Sequence, residues 1–177
     1  PVVTMLHSDV PLELAQKLGG WKNKEMVRYF ARYVEVIVSH YKAKVKKWIT
    51  INEINAVNYV LWFSCAMLDD DEKSKALAAS HLLLASATAV KIGHGIDPDA
   101  LIGGMVTDCY SYPYTCNPDD VLQSVEDVRT NIYFADVMCR GYYPSYQKMK
   151  LKRAGICLDL TEDDEKILRE GTIDFLG

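Results

Sequence analysis

The sequence predicts an α/β fold in which short parallel strands alternate with helices. Short runs rich in β-branched and aromatic residues, such as Trp48 to Ile51, have the composition of buried strands. Longer runs between them repeat apolar residues at helical spacing. The elements follow the order β-α-β-α-β-α-α-α-β. Strands that are joined through helices in this way lie parallel in one sheet and have right-handed crossovers.

The first strand is predicted from Val2 to Leu6, and His7 lies at its C-terminal tip. A short helix from Leu12 to Leu18 follows, with Pro11 near its first position and Gly19-Gly20 ending it. A histidine at a strand tip either donates a hydrogen bond to a bound hydroxyl group or serves in capping and packing. The residues alone leave both interpretations of His7 open.

Asn23 is placed to cap a second, longer helix. We expect an apolar stripe on this helix to pack against the sheet. The stripe consists of Met26, Phe30, Val34, Ile37 and Tyr41, with Val27, Tyr33 and Val38 alongside. A cluster of lysines then complements the dipole at the end of the helix, and the second strand, Trp48 to Ile51, follows.

Glu53 stands just beyond the C-terminal tip of the second strand, with the side-chain amides of Asn52 and Asn55 on either side. In parallel α/β folds, chemistry is concentrated at the C-terminal ends of the strands. A walled pocket can raise the pKa of a carboxyl group toward neutrality, which suits a general acid. Glu53 is therefore a candidate general acid, and an ordinary loop glutamate is the alternative.

The segment from residue 56 to residue 68 is a strand-to-helix loop that contains Tyr59, Trp62 and Phe63. These aromatic side chains either stack on a sugar or aryl face or form the core of the loop. The acidic run at 69–72 is interpreted as a helix start, because it lacks the spacing of a calcium loop.

A strong helix is predicted from Leu77 to Ile96, and we interpret His81 and His94 on it as structural residues. The third strand is predicted from Leu101 to Val106, and a tyrosine-rich loop from Thr107 to Asn117 follows at its C-terminal side. The remaining elements are a helix from Pro118 to about Asp136, a helix after Pro144, a helix over 165–170 and a fourth strand from Thr172 to Leu176.

Composition excludes several classes of protein. The 177 residues are about one domain in length, and the net charge of -4 argues against a nucleic-acid surface. No run approaches the roughly 20 apolar residues of a membrane span, and no secretory leader is visible. Five cysteines without a C-x-x-C pair indicate free thiols in a reducing cytoplasm, not a disulfide framework or zinc site. We expect no metal and no cofactor.

The chain begins and ends within predicted core strands. Domain boundaries normally fall in exposed linkers. We therefore expect residues 1–177 to be one partial domain of a longer polypeptide.

Residues 48–55 read Trp-Ile-Thr-Ile-Asn-Glu-Ile-Asn, which resembles the W-x-T-x-N-E-[PI] signature of family-one glycoside hydrolases. The Asn-Glu-Ile-Asn form is similar to the bacterial 6-phospho-β-glucosidase branch. Further segments resemble other family motifs in the same order: residues 1–12 (H-[WF]-D-[LV]-P-x-x-L), Gly19-Gly20-Trp21 (G-G-W), residues 140–144 (R-G-x-Y-P) and residues 172–177 ([TV]-D-F-[IL]-G).

This resemblance implies a partial (β/α)8 TIM barrel that comprises the third through sixth strands. It implies a retaining β-glycoside hydrolase of the 6-phospho-β-glucosidase type, whose substrate is a β-glucoside 6-phosphate or related sugar. Glu53 takes the acid/base position, Asn52 the position that hydrogen-bonds the 2-hydroxyl, and His7 the position that contacts the glycone hydroxyls. Ser8 replaces the usual aromatic residue and removes a stacking surface.

The family's nucleophile lies in a T-E-N-G context, which this sequence does not contain. The first-strand sugar-contacting glutamine and the late loop that grips the 6-phosphate are missing as well. We therefore expect the 177-residue chain to be inactive by itself. Four barrel strands also leave two open sheet edges, which favour a homo-oligomer.

The residues alone also allow two other classes of function. One is a non-hydrolytic α/β enzyme, such as a sugar-phosphate isomerase or aldolase with Glu53 as the base. The other is a carbohydrate-binding or structural half-barrel that uses its aromatic loops without catalysis.

Overall fold

Three parallel strands form the centre of the computed structural model, which describes residues 1–107 and 110–177. They are β1 (Val2–Leu6), β2 (Lys47–Ile51) and β3 (Leu101–Gly103), and their order in the sheet is β1-β2-β3. Leu6 pairs with Ile51, and Ile49 pairs with Gly103. The C-terminal tips of the strands therefore meet at one edge of the sheet.

The predicted fourth strand, Thr172 to Leu176, is not a continuous strand. It makes one parallel bridge, between Gly104 and Leu176, supported by a backbone bond from Asp174 N to Ile102 O at 2.9 Å. The Asp174 side chain also accepts the Ile102 N–H at 2.6 Å. The segment thus runs parallel to the end of β3, but a carboxylate replaces one of the backbone acceptors that a regular strand would supply.

Seven helices are present in the described residues. They are α1 (Leu12–Leu18), α2 (Glu25–Tyr41), α3 (Leu61–Cys65), α4 (Glu72–Ile96), α5 (Pro118–Arg140), α6 (Ser145–Arg153) and α7 (Glu162–Glu170). Short 3-10 turns occupy Gly20–Lys22 and Ile54–Asn58. The acidic run before α4 is a helix start, as predicted, because the Asp71 side chain accepts a hydrogen bond from Ser74 N at 2.9 Å.

The apolar stripe of α2 differs in part from the prediction. Met26, Phe30, Val34 and Val38 are its buried members, whereas Tyr41 is 44% exposed. The buried residues follow a single i, i+4 row, which keeps one narrow line of side chains against the core. The N-cap of this helix is Lys24 and not the predicted Asn23, although Asn23 Oδ1 accepts the Glu25 N–H at 3.0 Å.

Helix α4 is the core helix of the structure and packs against α2, α7 and β2. By length and composition it could cross a membrane, so the expectation that no segment is apolar enough was wrong. Its apolar residues serve packing instead, because most of the apolar window is buried inside the protein. The Thr50 and Ser86 hydroxyl groups, 2.7 Å apart, join β2 to this helix inside the core.

Both histidines of α4 make structural contacts with distant segments. His81 is fully buried, with Nδ1 2.8 Å from the Trp21 carbonyl oxygen and Nε2 2.9 Å from Asp159 Oδ1. His94 Nε2 lies 2.9 Å from Asp174 Oδ2. The acidic partners were not apparent in the sequence because they lie 78 and 80 residues further along the chain.

Across residues 1–107 and 110–177, no three or more His, Cys, Asp or Glu side chains form a group that could hold a metal ion. Burial raises the pKa of the Cys65 thiol to about 12. Cys116, Cys139 and Cys157 are free and exposed. Cys109 lies outside the described residues, as does Asp108 in the predicted tyrosine-rich loop.

Gly20 offers a direct test of this packing. Its φ is 71°, and a Cβ atom there would lie 2.3 Å from the Cys65 carbonyl oxygen. We expect Gly20→Ala to lower the free energy of unfolding by at least about 2 kcal/mol, because it adds backbone strain and a clash. The measurement is urea unfolding followed by the fluorescence of the buried Trp21 and Trp48.

Gly95→Ala is the matched control, since a Cβ atom at Gly95 in α4 meets nothing within 4 Å. Alanine costs less backbone entropy than glycine in a helix, so this variant should gain about 0.5–1 kcal/mol. Equal unfolding midpoints for the two variants would contradict the account.

Candidate active site

His7 and Asn52 lie side by side at the tips of β1 and β2. Leu6 and Ile51 are paired in the sheet, and Asn52 N donates to Leu6 O at 2.9 Å, so the next residues are neighbours. Asp9 Oδ1 accepts the His7 N–H at 2.9 Å and turns the chain away from the strand. His7 is exposed and Asn52 is half-buried. The structure thus brings together two of the three predicted site residues through strand register alone.

Glu53 follows Asn52 and begins a sharp turn at the rim of the sheet. Its backbone is left-handed, with φ 40° and ψ 58°, a conformation that a residue with a side chain rarely adopts. Its carbonyl oxygen accepts the Ala56 N–H at 2.7 Å, and Ile54 N donates to Met105 O at 3.0 Å. Glu53 is exposed at the tip of β2.

The turn after Glu53 is fastened to the segment that follows β3 by the buried side chain of Asn55. Asn55 Oδ1 accepts the Thr107 N–H at 2.8 Å, and Nδ2 donates to Thr107 O at 2.9 Å. The amide thereby pairs with Thr107 as another strand would. Its second Nδ2 hydrogen bond, 2.9 Å long, goes to Asn131 Oδ1 on α5. Asn55 is fully buried, and its bond to Asn131 is buried as well, whereas Thr107 is half-buried.

Helix α5 contacts the same turn at two more points. Asn131 Nδ2 donates to the Tyr59 hydroxyl oxygen at 2.6 Å, and Asn58 Nδ2 donates to Thr130 O at 3.0 Å. Asn131 was not among the predicted site residues. The available signal was a polar residue in line with Phe134, Ala135 and Met138, which form the buried face of α5.

Exposed aromatic side chains follow the turn of Glu53 in the chain. Tyr59, Trp62 and Phe63 are 54%, 53% and 61% exposed, so they form a surface and not a loop core. Trp62 and Phe63 line a depression of about 230 Å³ together with Ser8, the position after His7. An exposed aromatic pair beside a strand tip is suited to stacking on a sugar or aryl ring.

A second depression, of about 280 Å³, lies beyond the end of β3. It is lined mainly by apolar atoms, with Tyr110 and Asn131 among the contributing residues. The exposed Tyr112 and Tyr114 continue the same loop toward α5. The tyrosine-rich loop is therefore at the C-terminal side of the sheet, where the sequence placed it.

Replacing Asn55 should measure the strength of the connection to Thr107. We expect Asn55→Leu, which keeps the approximate shape, to lower the free energy of unfolding by about 2–4 kcal/mol, because it leaves buried polar groups of Thr107 and Asn131 unpaired. The half-buried Asn58 makes one such bond, so Asn58→Leu should cost about 1 kcal/mol. Urea unfolding measures both values, and equal costs would contradict the stronger role of Asn55.

One protein family matches the whole chain. The model of glycosyl hydrolase family 1 matches residues 1–177. The chain belongs to glycosyl hydrolase family 1. The family resemblance of the Trp48–Asn55 segment is thereby confirmed.

Curated relatives in this family are similar over the full chain. The aryl-phospho-beta-D-glucosidase BglH of Bacillus subtilis (strain 168) is 39% identical, and the chain covers 39% of its length. A 6-phospho-beta-glucosidase of Clostridium longisporum is 41% identical, with 38% of its length covered. Both matches include all 177 residues of the chain. The chain thus spans about two fifths of the length of these relatives.

Solved structures confirm the predicted fold class, a partial (β/α)8 barrel. The family 1 β-glucosidase of Thermotoga maritima matches with a TM-score of 0.81 and 31% identity, over 99% of this chain and 39% of that one. The AHE enzyme of Alicyclobacillus herbarius matches with a TM-score of 0.86 and 23% identity, over 99% of this chain and 40% of that one. This match shows a shared fold. The sheet described above is therefore part of a barrel wall.

Proposed function

We propose that this chain is part of a retaining β-glycoside hydrolase that acts on 6-phospho-β-glucosides, with Glu53 as the general acid and base. The observation that carries the proposal is the placement of Glu53. It is an exposed carboxylate in a strained turn at the tip of a barrel strand, next to Asn52 and near His7. Strained backbone persists where surrounding contacts hold it, and it is concentrated at functional sites.

The reaction needs two carboxylates about 5 Å apart. Glu53 donates its proton to the glycosidic oxygen as the carbon–oxygen bond breaks, and a second carboxylate forms a bond to the sugar carbon. Glu53 then takes a proton from water, whose oxygen displaces that carboxylate and releases the sugar. Asn52 and His7, on adjacent strand tips, are placed to donate hydrogen bonds to sugar hydroxyls.

The phosphorylated substrate is supported by the named relatives and by the Asn-Glu-Ile-Asn form of residues 52–55. The relatives include 6-phospho-beta-glucosidases of Clostridium longisporum and Escherichia coli (strain K12), at 41% and 35% identity. We include a cytoplasmic location in the proposal, because Cys116, Cys139 and Cys157 are exposed, free thiols.

The 177-residue chain by itself should show no hydrolysis of aryl 6-phospho-β-glucosides. General acid catalysis without the nucleophilic carboxylate does not complete the double displacement. The assay is release of nitrophenol from p-nitrophenyl 6-phospho-β-glucoside. Turnover that copurifies with the chain and disappears in Glu53→Gln would contradict the prediction.

A second candidate function is carbohydrate binding without catalysis. It is favoured by one specific observation, the exposed pair Trp62 and Phe63 beside the tip of β1. Calorimetry of the 177-residue chain with a β-glucoside 6-phosphate tests it. Two results together would favour this function over hydrolysis: loss of binding in Trp62→Ala, and no cleavage of glycosides by the full-length protein.

Oligomer formation is a further part of the proposal. In the described residues β1 pairs on one side only, with β2, so its other side is an open edge, and Val2 on it is 53% exposed. An apolar groove of about 260 Å³ lies alongside, lined by Leu14, Tyr29 and Tyr33 among others. An open strand edge next to apolar surface favours pairing with a second chain.

The isolated chain should therefore be a dimer or larger in light scattering at high concentration. Lysine on an edge strand opposes such pairing. Val2→Lys should shift the mass toward that of a monomer, whereas a lysine at the exposed Val36 of α2 should not. A monomeric mass for the unmodified chain would contradict the prediction.

A further inference from the structure

We propose that Asn131 of α5 is a positioning residue for Glu53 and acts through Asn55. This inference rests on the proposed function, because it assigns a partner to the same general acid. The residue lies 76 positions beyond Asn55 in the chain and touches the turn of Glu53 from the helix layer behind it.

The first step is the fixed orientation of Asn55. A side-chain amide has two N–H donors and one carbonyl oxygen, and here all are engaged. Both hydrogens of Nδ2 are used, by Thr107 O and by Asn131 Oδ1, and Oδ1 accepts from Thr107 N. Rotation of the amide by 180° would place donors against donors. Asn131 therefore supplies the contact that holds Asn55 against α5, while Thr107 holds it against the segment that follows β3.

The second step is that Asn131 holds both ends of one short turn. Its Oδ1 accepts from Asn55, near the start of the 3-10 turn Ile54–Asn58. Its Nδ2 donates to the Tyr59 hydroxyl oxygen at 2.6 Å, immediately after the turn. Asn131 is 9% exposed, and its bond to Asn55 is buried, whereas its bond to Tyr59 is partly buried. One amide thus connects the helix to the residues on both sides of the turn that begins at Glu53.

The backbone of Glu53 is strained. Left-handed backbone at a glutamate is stable only where neighbouring contacts over-determine it. In the turn, those contacts are the Ile54 N–H bond to Met105 O and the Asn55 bonds. Removing Asn131 removes the bond from Asn55 to α5 and the bond to the Tyr59 hydroxyl together, so Glu53 is expected to relax away from its position at the strand tip.

A displaced general acid has a specific kinetic signature. Proton donation matters most when the leaving group is a poor one, and it matters little when the leaving group departs readily as an anion. A loss of folded enzyme lowers the rate on every substrate by the same factor. The dependence on the leaving group therefore separates a positioning role from a merely structural one.

The experiment uses the complete polypeptide that contains this chain and compares phenyl with 2,4-dinitrophenyl 6-phospho-β-glucoside. For Asn131→Ala we expect kcat/KM to fall about 10–100-fold on the phenyl substrate, in line with misplacement of a catalytic group by about 1 Å. On the dinitrophenyl substrate the expected fall is less than about threefold, because departure needs little protonation.

Asn117→Ala is the matched control. Asn117 caps the N-terminal end of the same helix, where its Oδ1 accepts the Asp119 N–H. Both substrates should change by the same small factor in this variant. If Asn131→Ala does not fold, Tyr59→Phe replaces it, since this change removes only the hydroxyl oxygen that Asn131 contacts. Tyr59→Phe should also lose more kcat/KM on the phenyl than on the dinitrophenyl substrate, but the losses should be smaller than in Asn131→Ala.

Equal losses on the two substrates, or no loss, in Asn131→Ala or its replacement would overturn the inference. Glu53→Gln is measured in parallel. If Glu53→Gln shows the leaving-group dependence and Asn131→Ala does not, only the positioning role fails. If Glu53→Gln hydrolyses the phenyl substrate normally, the proposed function itself fails.

Discussion

The structure of the candidate site depends on how the buried side chain of Asn55 pairs with the backbone of Thr107. The two bonds, at 2.8 and 2.9 Å, extend the contact between β2 and β3 beyond the last regular pair of the sheet. They carry the chain through a turn whose first residue, Glu53, has left-handed backbone. Because the amide is fully buried, any rearrangement of the turn would leave unpaired polar groups in the interior. The strain at the strand tip is therefore kept by hydrogen bonds made behind it.

The helix layer contributes to the site as much as the sheet does. Asn131 on α5 joins the Asn55 amide, and the packing of α4 against β2 includes the Thr50–Ser86 contact. Buried polar residues at these helix positions lower the stability of the fold relative to apolar residues unless every hydrogen bond is made. The distribution of buried amides thus identifies the part of the barrel wall where the backbone deviates from regular structure, which is also where the carboxylate stands.

Much of the fold could be predicted because its signals are local. Strand composition and helix periodicity predicted β1, α1 and the end of α4 at their observed bounds, whereas α4 begins at Glu72, in the acidic run, and not at the predicted Leu77. Thr172 to Leu176 was predicted as a strand because its composition is that of one, but the Asp174 carboxylate takes part of the backbone's role there. At the site, strand tips and register were enough to place His7 beside Asn52. Asn131 and the partners of His81 were not predicted, because those contacts join residues at least 60 positions apart.

The central claim is that Glu53 delivers and removes the proton of a double displacement, and product stereochemistry tests it most directly. In Glu53→Ala of the complete polypeptide, azide can attack the glycosyl-enzyme intermediate without a general base, so it should restore turnover of an activated aryl substrate. The account predicts a glycosyl azide of β configuration, detected by NMR, because two inversions retain the configuration. An α-glycosyl azide would assign Glu53 to the nucleophile position instead, and absence of any azide product would contradict an acid/base role.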